Sequence, residues 1–295
     1  METRDKCSGV GLFLLLFILL CILLFVLQFG RRFLSLRASL KKSDEAAEMS
    51  TKINQLSQEV GVPVPNWTAC PVPPRTTMDG RLCQLVALDP AAHAESLYAA
   101  NSLDAENRMW TYLPSGPFAD FAAYRLWLDQ AAVNTEVLFF AIIDKASTRA
   151  VGLAAYLRID PVMGSIEVGH LGFSPLLQRR SAATEAMFLM MERAFALGYR
   201  RYEWKCNALN LPSRKAALRL GFSFEGVFRQ AAVVKGRNRD TAWYSIIDSE
   251  WPALRDAFLA WLAVDNFAAD GGQRVSLSEL TLRLNHATNS PTDGN

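Results

Sequence analysis

The sequence predicts a fold of the α/β (α+β) class, with a mixed, mostly antiparallel β-sheet that carries helices on both faces. Segments with strand and helix patterns follow one another in the order β-α-α-β-β-β-α-β-α-β-β. Three consecutive strands indicate an antiparallel meander within the sheet. Doubly wound nucleotide-binding folds alternate more strictly and place a glycine-rich turn after the first strand, and this sequence has neither feature.

The totals indicate one globular domain with additional terminal segments. The chain has 295 residues, a net charge of +2 and 5 cysteines. The small net charge argues against a nucleic-acid partner. The cysteines lack the spacing of a zinc site, and their odd number argues against a disulfide framework, so no metal site is predicted.

Residues 10–29 form an uncharged apolar run that predicts one N-terminal transmembrane helix, after a short N-terminus at residues 1–9. A helix of about 20 residues spans about 30 Å, the thickness of the hydrocarbon core. Arg31, Arg32 and further basic residues follow, so the positive-inside rule predicts a single-pass membrane protein with a cytoplasmic domain. A cleaved signal peptide is disfavoured because no cleavage site precedes the basic cluster. A start at Met49 is the alternative and would leave a soluble cytoplasmic protein.

Residues 30–80 are expected to form a juxtamembrane segment and a proline-rich linker. The prolines between residues 61 and 74 fix φ and remove backbone donors, which favours an extended chain. The folded domain is expected at residues 81–264. Beyond Asp265 the composition turns polar and predicts a disordered tail over residues 265–295, with at most one short helix near residues 276–284.

The first half of the domain contains a strand, two helices and the meander. Residues 81–88 alternate in hydrophobicity and predict the strand, and Asp89 followed by Pro90 predicts the cap of a helix at residues 89–101. An aromatic loop at residues 110–114 precedes a second helix at about residues 118–131. The three strands of the meander are predicted at residues 137–143, 150–159 and 165–173.

The second half begins with a basic turn, Gln178–Ser181, and a helix at residues 182–197 that ends at Gly198. A strand and a short helix follow, and then a hairpin around an exposed tip at residues 235–240, and a last helix. The strand is predicted at residues 201–206 and the short helix at residues 213–220. The two strands of the hairpin are predicted at residues 224–234 and 241–247, and the last helix at residues 251–264.

Two motifs in this half carry a resemblance to a known family. The first is QRRSAATE at residues 178–185, and the second is NLPS at residues 210–213, followed by LGF at residues 220–222 and FEG at residues 224–226. With these motifs, residues 81–247 resemble a GNAT-family N-acetyltransferase, of the branch similar to the ribosomal-protein N-terminal acetyltransferases (RimJ/RimL type). Ser181 departs from the pattern, because the family usually has glycine there.

A strand that runs into a basic turn at a helix start indicates an anion site, because free N–H groups and the positive end of the macrodipole lie there. The resemblance implies that the anion is the pyrophosphate of acetyl-CoA, the expected co-substrate. The alternative is that Arg179 and Arg180 are only solvated charges. The residues expected to contact the coenzyme are Phe173, Gln178, Arg179, Arg180, Ser181, Ala182, Ala183, Asn210 and Ser213.

Acetyl transfer to an amine needs a base, because an amine is mostly cationic at neutral pH. Glu167 on the central strand is the first candidate and Glu203 on the neighbouring strand is the second, and a structural carboxylate is the alternative for both. The resemblance implies that Ser213 protonates the leaving thiolate, although Ser213 and Asn210 are also typical helix caps. His170 is a further candidate base, but its apolar surroundings favour a core histidine.

Trp110 and Tyr112 of the aromatic loop are expected to form a wall of the acceptor pocket, and the alternative is that they anchor the loop in the core. The leading hypothesis is a membrane-tethered acetyltransferase that acts on a primary amine, either a protein N-terminus or a small molecule, by direct attack with a general base. The alternative is an acyl-CoA-binding interaction module without turnover. The sequence leaves the acceptor and a homodimer open.

Overall fold

The computed structural model of the chain describes residues 52–268 and 272–281. The chain divides into two compact units, Met1–Asn66 and Trp67–Asn295. In the first unit, strands β1 (Lys52–Ile53) and β2 (Glu59–Val60) form a short antiparallel hairpin. The transmembrane helix expected at residues 10–29 lies outside the described residues. None of the helices within those residues is long and apolar enough to cross a membrane.

The second unit is built on an eight-stranded β-sheet with the spatial order β3-β4-β5-β6-β7-β8-β10-β9. All neighbouring strands are antiparallel except β7 and β8, which are parallel. The mixed, mostly antiparallel sheet predicted from the sequence is therefore confirmed. The strands are β3 (Met78–Asp79), β4 (Cys83–Ala87), β5 (Leu138–Asp144), β6 (Arg149–Asp160), β7 (Ser165–Phe173), β8 (Arg201–Asn207), β9 (Ser223–Val234) and β10 (Arg237–Ile247).

Helices pack around the sheet on both faces, as the sequence predicts. They are α1 (Pro90–Asn101), α2 (Phe121–Ala132), α3 (Ser181–Ala196), α4 (Leu211–Arg219) and α5 (Trp251–Leu262). On one face, Leu97 of α1 and Phe139 of β5 belong to one buried cluster, to which α2 also contributes. On the other face, Met190 of α3 and Ile166 of β7 belong to the larger cluster, together with side chains of α5.

Helix α3 is the crossover that a parallel pair of strands requires. Its inward face is apolar, but it also buries Glu185, which is 4% exposed. The Glu185 carboxylate accepts hydrogen bonds from the backbone N–H groups of Arg81, Leu82 and Cys83 at 2.9, 2.6 and 2.8 Å. This contact fixes the start of β4 to the start of α3. Glu185 belongs to the motif at residues 178–185, but nothing local in the sequence indicates this contact.

The domain starts before Arg81, the boundary that the sequence suggested. Cys70 and Met78 are buried in the larger cluster. The indole N–H of Trp67 donates to the carbonyl of Val162 at 2.9 Å. Residues 67–80 therefore belong to the domain rather than to a free linker. Proline content favoured an extended connector, and the structure packs this connector along the domain.

The expected disorder beyond Asp265 does not hold for residues 272–281. Residues 277–281 are helical, and Leu277 is buried in the larger cluster. The Thr281 hydroxyl donates to the carbonyl of Arg219 at 3.3 Å, and the Trp261 indole donates to Gln273 at 2.8 Å. A few side chains hold a segment whose average composition is polar. Residues 282–295 lie outside the described residues.

Local details differ from the prediction at two helices and one hairpin. Helix α2 begins at Phe121, because the Asp120 carboxylate accepts the N–H of Ala123 at 2.8 Å and caps the helix. Helix α4 begins at Leu211 rather than at residue 213. The turn between β9 and β10 contains only Lys235 and Gly236, with φ of 49° and 71°. Two positive φ values fit a tight two-residue turn, so the expected tip at residues 235–240 is mostly strand.

Candidate active site

Strands β7 and β8 separate part-way along their length and open a gap in the sheet. Their parallel pairing ends where Val168 lies opposite Trp204. Beyond this point β7 stays paired with β6, and β8 stays paired with β10. In the described structure, the segment Gly169–Phe173 therefore has one edge without a strand partner. Its N–H and C=O groups can bind an extended ligand that contains amides.

A β-bulge lies at the start of this free edge. Gly169 faces Ala155 and Gly172 faces Leu153, so two residues of β7 lie opposite one residue of β6. His170, in the bulge, has a φ of 50°. This left-handed conformation costs roughly 1 kcal/mol in a residue that has a Cβ. The bulge turns the His170 ring toward the α1/α2 face, where its centroid lies 5.0 Å from that of Phe139.

The turn before α3 presents backbone N–H groups that can bind an anion. Arg180 is the N-cap residue and makes no side-chain cap hydrogen bond. Among the described residues, the N–H groups of Arg179, Ser181 and Ala182 find no hydrogen-bond acceptor. The positive end of the helix macrodipole lies at the same point. A phosphate group fits this arrangement.

Ser181 causes no conformational conflict in this turn. It is the first residue of α3, and the left-handed residue of the turn is Arg179, with a φ of 61°. Since glycine would be needed only for a positive φ or a very close approach, serine keeps the N–H donor without backbone strain. The Gln178 side chain donates to the carbonyl of Phe173 at 2.8 Å and ties the turn to the end of β7.

Asn210 and Ser213 lie at the start of α4, which follows β8 as α3 follows β7. The Asn210 side chain accepts the N–H of Ser213 at 3.2 Å, so Asn210 is a helix cap. The Ser213 hydroxyl accepts the indole N–H of Trp204 at 3.1 Å. This contact orients the hydroxyl oxygen as an acceptor, so the hydroxyl proton stays available for donation.

Glu167 and Glu203 lie close together on the face of the sheet that carries α1 and α2. They are opposite each other in the parallel pair. The Lys205 ammonium lies 3.0 Å from the Glu167 carboxylate and 2.7 Å from the Glu203 carboxylate. The Lys205 side chain is only 6% exposed, and its nitrogen lies 3.7 Å from the centre of the Trp243 ring.

Each of these carboxylates also has a second cation. Arg158 pairs with Glu167, and Arg201 pairs with Glu203. Burial raises the pKa of Glu203, but the hydrogen bonds from Lys205 and Arg201 outweigh burial and leave that pKa below its ordinary value. Two cations thus hold each carboxylate in place. The geometry therefore favours a structural role for both residues.

A small cavity adjoins the bulge on the α1/α2 face. Asn101, Trp110, Trp127 and His170 are among its lining residues, and its volume is about 10 Å³. This is roughly the space of one water molecule. The side-chain oxygen of Asn101 is buried and has no hydrogen-bond partner in the described structure. The apolar sequence around His170 favoured a core role. The β-bulge that reorients this residue leaves no signal in the sequence pattern.

The aromatic loop contributes both to the core and to the site. Trp110 is 5% exposed and packs edge-on against Phe118 at 5.3 Å, which supports the anchoring role. Trp110 also forms one wall of the cavity. The Tyr112 hydroxyl donates to the carbonyl of Leu209 at 3.3 Å and so links the loop to the residues before α4.

The hairpin tip is not a free exposed turn. The Lys235 ammonium donates to the carbonyls of Trp110 and Ser115 at 2.7 and 3.1 Å. The β9–β10 hairpin therefore reaches the aromatic loop and closes one side of the α1/α2 face. Desolvation lowers the pKa of Lys235.

Comparison with known proteins decides the family. The sequence model of the acetyltransferase (GNAT) domain matches residues 84–223. The crystal structure of a GCN5-related N-acetyltransferase from Brucella melitensis is 50% identical, with a TM-score of 0.73, over 74% of this chain and 99% of that chain. The chain belongs to the GNAT acetyltransferase family.

Other relatives agree with this GNAT assignment. A crystal structure of a probable GNAT-family acetyltransferase from Chromobacterium violaceum is 38% identical, with a TM-score of 0.62, over 69% of this chain and 100% of that chain. An uncharacterized N-acetyltransferase p20 from Bacillus licheniformis is 28% identical over 145 residues, or 48% of this chain and 80% of its own length.

The GNAT protein is thus an acyl-CoA N-acyltransferase with acetyl-CoA as its co-substrate. The residues present fit this coenzyme, because the free edge of Gly169–Phe173 suits the amides of its pantetheine arm and the N–H groups before α3 suit its pyrophosphate. Family membership favours the enzyme over the interaction module that the sequence left open. Within the described residues, no group of three or more His, Cys, Asp or Glu side chains could hold a metal ion.

Proposed function

We propose that the protein transfers the acetyl group of acetyl-CoA to a primary amine by direct attack. One observation carries this proposal. The gap beside Gly169–Phe173 opens next to the anion-binding turn, while the cavity approaches the same strand segment from the α1/α2 face. The coenzyme and the amine thus have separate approaches to one segment of β7.

Direct attack is favoured over an acetylated cysteine. Cys206 on β8 is 5% exposed, and burial raises the pKa of its thiol. A buried, protonated thiol is a poor nucleophile. The amine itself is therefore the group that attacks in this proposal.

The chain's own residues have distinct tasks in the transfer. Acetyl-CoA supplies the thioester carbonyl that the amine attacks. The backbone of Gly169–Phe173 holds the pantetheine amides, and the turn before α3 holds the pyrophosphate with Arg179 and Arg180 beside it. Ser213, oriented by Trp204, donates a proton to the departing sulfur.

Glu167 and Glu203 were the expected bases, and in this proposal they act differently. With Lys205 between them, they form a charged floor on the acceptor side of the sheet. The wall of that side comes from Trp110 and Tyr112. The acceptor is a protein N-terminus or a small-molecule amine, because both carry a primary amine on an accessible chain end.

The proposal includes the location of the enzyme. An anchor at residues 10–29, followed by Arg31 and Arg32, would hold the domain at the cytoplasmic side of a membrane. Fractionation of the full chain and of a chain that starts at Met49 tests this, with protease protection of a C-terminal tag as the topology measurement. Recovery of the full chain in the soluble fraction would refute the anchor, and light scattering on the same samples distinguishes a monomer from a homodimer.

The activity test measures release of the coenzyme A thiol by the full chain in detergent. The amine panel contains peptides with free N-termini, amino acids and alkyl amines, and each peptide has an N-acetylated control. We expect saturable release with at least one free amine and none with the controls. Tight acetyl-CoA binding without turnover across the panel would support the interaction module, and a failure to bind acetyl-CoA would refute both functions.

A further inference from the structure

We propose that His170 and Asn101 form the subsite of the reacting amine nitrogen, with His170 as its general base. This inference rests on the proposed function and deepens it, because it assigns the base and the class of amine. It is carried by the cavity on the α1/α2 face, which both residues line.

The cavity has the size and chemistry of an ammonium site. Its volume of about 10 Å³ accepts one group as small as water. Trp110 and Trp127 provide aromatic walls, and aromatic faces attract cations. A primary ammonium group, at the end of a chain that extends outward, matches both properties.

Asn101 supplies an acceptor that nothing in the described structure uses. Its side chain is 7% exposed, and its amide nitrogen donates to the Tyr124 hydroxyl at 3.2 Å. Its side-chain oxygen has no partner. Buried polar atoms are nearly always hydrogen-bonded, so an orphaned acceptor in a cavity marks the place of a donor. An N–H of the amine is such a donor.

His170 is held toward this cavity by the bulge. Its left-handed φ of 50° is strained, and such strain is typical of functional positions. Within the described chain neither ring nitrogen makes a hydrogen bond, and the ring contacts only Phe139 among the aromatic side chains. His170 also lies in the free-edge segment of β7, next to the place of the coenzyme. His170 therefore lies between the gap proposed for the coenzyme and the cavity proposed for the amine.

Burial and the charges around His170 favour a neutral ring. Burial lowers its pKa from the ordinary value of 6.5, and Arg158 on β6 and Arg239 on β10 lower it further. Lys235, which contacts the carbonyls of Trp110 and Ser115, adds a third cation near the cavity. A neutral imidazole at neutral pH can accept a proton.

The pKa of the amine itself decides how readily His170 can take its proton. An α-amino group has a pKa of about 7.7 to 8.0, whereas a lysine amine has about 10.4. Proton transfer to the same imidazole is therefore roughly 300-fold less favourable for a lysine-type amine. We expect α-amino groups, of a peptide or an amino acid, to be the preferred acceptors.

The proton and electron count of the step is balanced. One ammonium proton passes to the imidazole of His170, and the freed lone pair forms the bond from nitrogen to the acetyl carbonyl carbon. The carbon–sulfur bond breaks with its electron pair on sulfur, which takes a proton from Ser213. Solvent then reprotonates Ser213, and His170 releases the proton that it accepted to solvent. The second proton of the reacting nitrogen leaves to solvent, and the products are an amide and a thiol.

The test replaces His170 in the full chain and uses a second histidine as the control. His170→Asn keeps a residue that tolerates the left-handed conformation but is not a base. His93→Asn is the matched control. The His93 side chain lies on α1, accepts the N–H of Asp89 at 3.1 Å and does not line the cavity. For a free α-amino peptide, we expect His170→Asn to lower kcat/KM by at least about 100-fold. It should also abolish the acidic limb of the pH profile and leave acetyl-CoA affinity unchanged.

A second measurement does not depend on turnover. The chain has 3 histidines, so loss of one imidazole NMR signal in His170→Asn assigns that residue. In the wild-type chain without coenzyme, this signal should titrate below the usual histidine range. It should also shift on addition of the free peptide and not of its N-acetylated form. Asn101→Leu should weaken this response and raise KM for the amine while it retains the acidic limb.

Each outcome decides the inference. An unchanged pH profile in folded His170→Asn, or a His170 signal that ignores the amine, would overturn the subsite and leave the proposed function standing. If His170→Asn fails to fold by circular dichroism, Asn101→Leu and the wild-type titration decide in its place. A wild-type chain that turns over no amine would overturn both the proposed function and the subsite.

Discussion

Glu167 and Glu203 lie opposite each other on β7 and β8, and the Lys205 ammonium bridges their carboxylates. Two like charges in this position would repel and weaken the pair of strands. Lys205, together with Arg158 and Arg201, converts the repulsion into a network of alternating charge. The last paired position, Val168 opposite Trp204, follows directly, so the network holds the two strands together next to the gap.

Replacing Glu167 distinguishes a structural carboxylate from a base. We expect Glu167→Gln to lower the free energy of unfolding by about 2 kcal/mol, because Lys205 and Arg158 lose a charged partner. Turnover should fall less than about tenfold and keep its acidic limb. Denaturant unfolding and the pH profile measure both effects, with Glu106→Gln on the surface as the control. A loss of about 100-fold or more at unchanged stability would identify Glu167 as the base.

The turn before α3 gives a prediction for coenzyme affinity. The double variant Arg179→Ala/Arg180→Ala should raise the Kd of acetyl-CoA at least about tenfold, because charge-assisted bonds to the pyrophosphate are lost. Calorimetric titration measures the affinity, and Arg149→Ala is the control on an exposed arginine of β6. Ser181→Gly should change the Kd by less than about twofold, since Ser181 needs no positive φ. An unaltered affinity in the double variant would remove both arginines from the site.

Glu185 and Glu192 offer a matched comparison on α3. Glu185 accepts three backbone N–H groups in the core, whereas Glu192 pairs with Arg255 near the surface. We expect Glu185→Gln to lower the free energy of unfolding by roughly 3 kcal/mol, because an amide presents one donor group to these N–H groups. Glu192→Gln should cost less than about 1 kcal/mol. Equal losses in chemical denaturation would contradict the anchoring role of Glu185.

Acid should weaken the domain through Glu203 and Glu225. Hydrogen bonds from Arg201 lower the pKa of Glu225, and those from Lys205 and Arg201 overcome burial to lower that of Glu203, so both lie below the ordinary 4.5. A lowered pKa in the folded state means that the unfolded chain binds more protons as the pH falls. The stabilisation is therefore complete above about pH 4.5 and is lost below it. Thermal unfolding should show a Tm that falls in this range, and Arg201→Met should flatten the dependence. A slope that Arg201→Met leaves unchanged would assign the acid sensitivity to other groups.

Patterns that lie within one segment predicted most of the fold. Alternation predicted β4, and apolar runs predicted the meander. Asp89 with Pro90 predicted the start of α1, where the Asp89 carboxylate accepts the N–H of Ala91 at 2.9 Å. The two motifs located the turn before α3 and the start of α4. In each case the interaction that stabilises the element joins residues that are close in sequence.

Features that depend on distant contacts escaped the sequence. Met78 and Leu277 are buried by elements far away in the chain, so local composition described their segments as linker and tail. The orientation of His170 depends on one extra residue in β7, which changes the face to which its ring points. A pattern with period two assumes a regular strand and cannot register such an insertion.

The contact between Glu185 and the start of β4 also sets an order of events during synthesis. Its partners precede it by about one hundred residues, so the N-terminal strand leaves the ribosome long before its anchor exists. Closure of such a distant contact is slow. Glu185 lies in the first turns of α3, so the contact forms next to the turn that precedes this helix. A nascent chain that ends before Glu185 therefore lacks both the anchor of β4 and the helix start that the coenzyme would bind.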